Sequence, residues 1–138
     1  MTAIAPLRTM HSMIAILFHP NPRQRWLARA LLCLAMLVVS YLVFSQPTSV
    51  GHKIPHFDKF SHFTAFFGLA ALLQLASGIK RRWQMALLAA YAALIEIVQY
   101  FLPYRSAEWL DFAADIFGAL SFYLLLLMVQ QWPRKVSA

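Results

Sequence analysis

The chain has 138 residues, a formal net charge of +7, 61% hydrophobic residues and only 12% charged ones, with a mean hydropathy of +0.61. Soluble domains run at about 45–50% apolar and about 25% charged residues, so this composition excludes a soluble globular enzyme, a disordered chain and a disulfide scaffold. A pI near 10.1 would point to nucleic acid in a soluble protein; beside this much apolar sequence, basic residues report membrane orientation instead.

A helix needs about 20 mainly apolar residues to cross the hydrocarbon core. The first 25 residues are read as a cytoplasmic or interfacial leader, because the apolar patch Met10–Phe18 is too short to span and His19-Pro20-Asn21-Pro22 ends it. Trp26–Phe44 is the cleanest span, and Cys33 inside it reads as a small buried hydrophobe. Its basic flank also gives it the anatomy of a long signal peptide. Ser45–Phe57, with Pro47, Gly51 and Pro55, reads as a structured loop. Phe60–Ile79 follows, weakened by Ser61, His62 and Thr64, and a polar turn through Lys80, Arg81 and Arg82 leads to Trp83–Leu102, interrupted by Glu96 and Gln99. Leu110–Trp132 carries Asp111 and Asp115 near its start, and residues 133–138 are read as a cytoplasmic tail. The expected fold is therefore all-α, an integral membrane bundle of four transmembrane helices over residues 26–132. Strands are excluded because Ala and Leu dominate without period-2 alternation.

Lysine and arginine set the orientation. Arg8, Arg23, Arg25, Arg29, Lys80, Arg81, Arg82, Arg134 and Lys135 fall on one side, and only Lys53, Lys59 and Arg105 on the other. Both termini are thus expected in the cytoplasm. Trp26, Trp83 and Trp132 sit at inner span ends and Trp109 at an outer one, as interface anchors do.

All five acids, Asp58, Glu96, Glu108, Asp111 and Asp115, then lie in the outer half. Asp58/His62 and Asp111/Asp115 are i,i+4 pairs and Glu96/Gln99 an i,i+3 pair, so each pair shares a helix face. At 1.5 Å per residue Glu96 lies about 10 Å below Pro103, and Asp115 about 7 Å below Leu110. Carboxylates at such depth turn inward, pair, or line a hydrated cavity. Ala65 and Gly68, Ala89 and Ala92, and Gly118 and Ala119 continue these faces inward. They predict tight helix packing beneath a polar cavity.

The segments Asp58-Lys59-Phe60-Ser61-His62-Phe63, Ile95-Glu96-Ile97-Val98-Gln99-Tyr100-Phe101-Leu102-Pro103, Arg105-Ser106 and Leu110-Asp111-Phe112-Ala113-Ala114-Asp115-Ile116-Phe117-Gly118-Ala119 follow one another in this order. Over about residues 57–125 the chain resembles the VanZ-like family, named for an accessory protein of teicoplanin resistance. Many members carry Asn where this chain has Asp115. The resemblance implies a small multi-helix protein of the bacterial inner membrane with a role in envelope function or in antibiotic or stress tolerance. It implies no defined chemistry.

Three readings of the polar cluster follow from the residues. In the plainest, Lys59 and Arg105 neutralise two of Asp111, Asp115 and Glu96, while His62 and Gln99 complete the hydrogen bonds of a structural network. In the second, Asp58, Lys59, His62, Glu96, Gln99, Arg105, Asp111 and Asp115 line a ligand site, with Lys59 and Arg105 on the phosphate of a lipid or lipid-linked envelope precursor. In the third, a membrane enzyme acts on a lipid-linked phosphate. Its candidates are His62 as general base, oriented by Glu96 or Asp111, or a divalent ion on His62, Glu96, Asp111 and Asp115. No catalytic residue, metal or cofactor is assigned from the sequence. Membrane lipids are the expected partners, nucleic acid is not, and a homo-oligomer is open. His52 and His56 read as solvated loop histidines.

Overall fold

The computed structural model describes residues 16–46 and 57–136, with side chains through Gln131. Four long helices make up the fold: α1, Pro22–Phe44; α2, Phe57–Ala76; α3, Arg81–Tyr100; α4, Trp109–Val136. No strand occurs among the described residues. The expected loop residues Lys53, His52 and His56 lie outside them, as does Arg8.

Helix α1 starts four residues before the apolar run, and the reason is local. Asn21 is its N-cap, accepting from the Gln24 amide, while the Gln24 side chain accepts from the Asn21 amide. Pro22 occupies the first turn, where its missing N–H costs nothing. The leader is not wholly separate from the bundle either. Leu17 and Phe18 pack against the core, and Gln74 Nε2 donates to the Leu17 carbonyl at 3.2 Å. At the other end α4 runs to Val136, so the helix takes in residues 133–136.

Side-chain bonds give the helix directions. Arg29 Nε, early in α1, donates to the Ala76 carbonyl at the end of α2 (3.1 Å), so these two run antiparallel. This bond also satisfies a carbonyl that α2 leaves open at its C-terminus. Gln99 Nε2 donates to Val43 O (3.1 Å), making α1 and α3 parallel. Tyr123 Oη donates to Gln84 Oε1 (2.7 Å), making α3 and α4 antiparallel. The C-terminal ends of α1 and α3 therefore meet the N-terminal ends of α2 and α4.

Phe66, Leu69 and Ala70 of α2, Leu88, Ala92 and Ile95 of α3, and Ala119, Phe122 and Leu126 of α4 form the buried core. Helix α1 is peripheral: of its residues only Ala28 is buried. Cys33 is exposed, contrary to the sequence expectation, because α1 packs through one narrow face and Cys33 lies off it. Beneath the polar end, α2 and α4 touch through their backbones. A Cβ on Gly118 would collide with the Phe63 carbonyl oxygen and lie 3.1 Å from Phe63 Cα. Gly68, expected to serve the same purpose, has nothing within 4 Å of its Cβ position.

Two helices are long and apolar enough to cross a membrane, Pro22–Phe44 with mean hydropathy 2.3 and Trp109–Gln131 with 2.1. Helices α2 and α3 fall short because each carries polar groups near both ends: Asp58, Lys59, His62 and Gln74 in α2, and Arg81, Arg82, Gln84, Glu96 and Gln99 in α3.

Candidate functional site

All five acids lie at the end where α2 and α4 begin and α3 finishes. Asp58 and Asp111 each fall in the first turn of their helix, where a carboxylate complements the positive end of the helix dipole. Arg23, Arg25, Arg29, Lys80, Arg81 and Arg82 lie at the opposite end of the helices.

The deepest contact at the acidic end joins α2 to α4. His62 Nδ1 lies 2.9 Å from Asp115 Oδ1, with the side chains 4% and 0% exposed. Sequence spacing offered Glu96 or Asp111 as the group that orients His62; the partner is Asp115. The close Gly118–Phe63 approach holds α2 and α4 in the register that brings these side chains together. Asp115 Oδ2 remains buried without a partner.

Nearer the rim, Lys59 Nζ donates to Glu108 Oε2 at 2.8 Å and to Asp111 Oδ1 at 3.0 Å. These two hydrogen bonds, Glu108 first, hold the Lys59 ammonium above the ordinary lysine range. Arg105 does not neutralise a carboxylate. Its Nε donates to Ser45 O at 3.0 Å and its Nη2 to Leu42 O at 2.8 Å, while Tyr104 Oη donates to Phe44 O at 3.0 Å. The α3–α4 connection thus closes over the carbonyls left open by the last turn of α1, and the negative end of that helix dipole attracts the guanidinium.

Glu96 is half-buried. Its Oε2 accepts from the main-chain amide of Glu108 at 2.9 Å, and its Oε1 is buried without a partner. Gln99, 2% exposed, gives its Nε2 to Val43 and leaves Oε1 unpaired. Glu108 was missed as a site residue. It holds Lys59 with its side chain and Glu96 with its backbone, and only its position between two acid-bearing helices hinted at this.

A cavity of about 550 Å³ opens among these groups. Val39, Leu42 and Val43 of α1 give it one apolar wall and Phe57, Ala65 and Phe66 of α2 add further apolar surface; Asp58, Lys59, His62, Gln99, Arg105, Asp111 and Asp115 are among its polar lining. Of the expected ligand residues, only Glu96 stands behind the lining. Two groups of ligand atoms lie within 4.8 Å of one another, one from Asp58, His62 and Asp111, the other from His62, Glu96 and Asp115.

Fold and site together define an all-helical protein with its acidic groups gathered at one end around a mixed polar and apolar cavity. The chain belongs to the VanZ/LLP1 family, whose model matches residues 6–130. The match reaches well beyond the 57–125 motifs and takes in α1. Family membership and the two apolar helices make this a membrane protein. No curated protein and no solved structure matches the chain.

Proposed function

We propose that the chain crosses the bacterial inner membrane four times, with both termini in the cytoplasm. In this reading the cavity at the outer-leaflet end holds the head of a lipid or of a lipid-linked envelope precursor. The observation that carries it is the cavity's construction: apolar side chains of α1 share about 550 Å³ with Lys59 and His62, and Arg105 borders the same space, tied to the α1 carbonyls. An amphiphile needs that pairing, a greasy surface beside donors and acceptors. Exposed apolar side chains along α1, among them Leu27, Leu34, Leu37 and Leu42, would face acyl chains, and exposed Trp26, Trp83 and Trp109 would sit at the two interfaces. A role in envelope function or in antibiotic or stress tolerance agrees with the family.

Native mass spectrometry of the purified protein with phospholipids and undecaprenyl phosphate tests this reading. Retention of one lipid per chain, weakened at least tenfold in Lys59→Ala/Arg105→Ala, is the expected result. Wild-type retention in that double variant overturns it.

A second reading, a membrane enzyme acting on a lipid-linked phosphate, draws on one contact. With Nδ1 held by the Asp115 carboxylate, His62 has Nε2 left to move a proton, the arrangement of a general base. Release of phosphate from undecaprenyl-linked substrates, lost in His62→Ala, supports it; no turnover removes it.

A further inference from the structure

The unpaired polar atoms at the acidic end are all of one kind. Glu96 Oε1, Gln99 Oε1 and Asp115 Oδ2 are buried oxygens without a hydrogen-bond partner. Asp115 and Gln99 are 0% and 2% exposed, almost wholly withdrawn from solvent although both border the cavity. Buried acceptors left without a donor are costly and call for an explanation. The fixed cations nearby are committed elsewhere: Lys59 to Glu108 and Asp111, and Arg105 to the carbonyls of α1. Among the described residues, no lysine or arginine pairs with Glu96 or Asp115.

We propose that His62, Glu96 and Asp115 bind one divalent cation of the zinc or manganese class, with Gln99 Oε1 as a further donor. One ligand atom from each of the three residues already lies within 4.8 Å of the others. His62 Nδ1 and Asp115 Oδ1 are 2.9 Å apart. Ligand atoms around a tetrahedral ion with bonds of about 2.1 Å stand about 3.4 Å apart. At 2.9 Å the pair stands at hydrogen-bond distance, so binding widens it by about 0.5 Å and displaces the shared proton to solvent. One imidazole nitrogen with carboxylates suits Zn²⁺ or Mn²⁺; Ca²⁺ and Mg²⁺ favour all-oxygen shells of six or more. The group of Asp58, His62 and Asp111 is the weaker site, since Asp58 is exposed and Asp111 already holds Lys59. The gain of a positive ion also offsets the excess of carboxylates at this end. The site stands whether or not the cavity holds a lipid.

Tag-free, full-length protein in detergent, stripped with EDTA and dialysed, is titrated with Zn²⁺ and with Mn²⁺ by calorimetry, alongside thermal unfolding. A background carrying His11→Asn, His19→Asn, His52→Asn and His56→Asn keeps ions bound elsewhere out of the count. The expected result is one ion per chain and a raised Tm. Affinity falls at least tenfold in Glu96→Gln and in Asp115→Asn and is kept in Asp58→Asn. Should either buried variant fail to fold, Gln99→Met removes the Oε1 donor at similar size, together with the Nε2 bond to Val43, and weakens binding several-fold while the protein still folds. No binding of either ion by the folded protein at millimolar concentration overturns the site. So does unchanged affinity in the folded Glu96→Gln, Asp115→Asn and Gln99→Met variants, or a loss confined to Asp58→Asn.

Discussion

The two oxygens of Asp115 are in different circumstances: one faces His62 at 2.9 Å, and the other is buried and unpaired. Removing one member of a buried pair strands the other, at about 3–5 kcal/mol. His62→Ala is therefore expected to lower stability by that order. Asp115→Asn, which keeps an oxygen for His62, should cost less, and thermal unfolding in detergent ranks the two. Glu96 and Glu108 make a second contrast. Glu96→Lys places a cation where Oε2 accepts an amide and Oε1 is buried, and should misfold the protein. Glu108→Lys breaks only a half-exposed ion pair with Lys59, worth about 0–1 kcal/mol, and leaves the Glu108 amide in place. Comparable loss at both positions would show that Glu96 is not held as described. Spacing along the helices made the meeting of Asp58/His62, Glu96/Gln99 and Asp111/Asp115 legible. It could not say which acid His62 would touch. That choice depends on the rotation of α2 against α4, a property of two helices together. The destination of Arg105 was hidden for a similar reason, since its partners are carbonyls exposed only because α1 ends beside it.

At the scale of elements, Gly118 is the position that sets α2 against α4. Gly118→Ala drives a methyl into the Phe63 backbone, which cannot step aside as a side chain tip would. The expected loss is about 1–3 kcal/mol, the usual cost of overpacking. Gly68→Ala meets open space and should be neutral, or gain up to about 1 kcal/mol from helix propensity. Resistance to unfolding in graded SDS separates them, and equal effects would remove Gly118 as the determinant of the approach. Both glycines look alike in sequence, each one to two turns inward of a polar pair. Only the helix rotation decides which of them faces a neighbour. Hydropathy found all four helices but misjudged their ends. The Asn21–Gln24 capping box starts α1 in polar sequence, and the Lys80 N-cap starts α3 before its first apolar residue.

Over the whole molecule, charge is sorted along the helix axes. Neither α1 nor α3 has an acid in its first turn, and Arg23, Arg25, Arg81 and Arg82 stand there instead. Positive charge at a helix N-terminus opposes the dipole by about 0.3–1 kcal/mol. A soluble bundle gains nothing from that arrangement, whereas a membrane bundle gains its orientation. The four-span reading makes a direct prediction. With Cys33→Ser as background, Lys80→Cys should react with an impermeant maleimide only from the cytoplasmic side, and Ser106→Cys only from the outside. Labelling of both from one side would leave α1 and α4 as the spans and return α2 and α3 to the interior of a differently placed protein.

The bond from the Glu108 amide to Glu96 has an evolutionary consequence. A main-chain donor is carried by nineteen of the twenty amino acids, so position 108 is free to drift in side chain while its grip on Glu96 persists. Variation there among relatives would conceal a constraint rather than disprove one, and its mark would be a single forbidden residue. Glu108→Pro deletes the donor at the residue before α4, whose amide the helix itself does not use. It should cost more than Glu108→Ala, by about 1–3 kcal/mol for the carboxylate left without a partner, as read from paired unfolding curves.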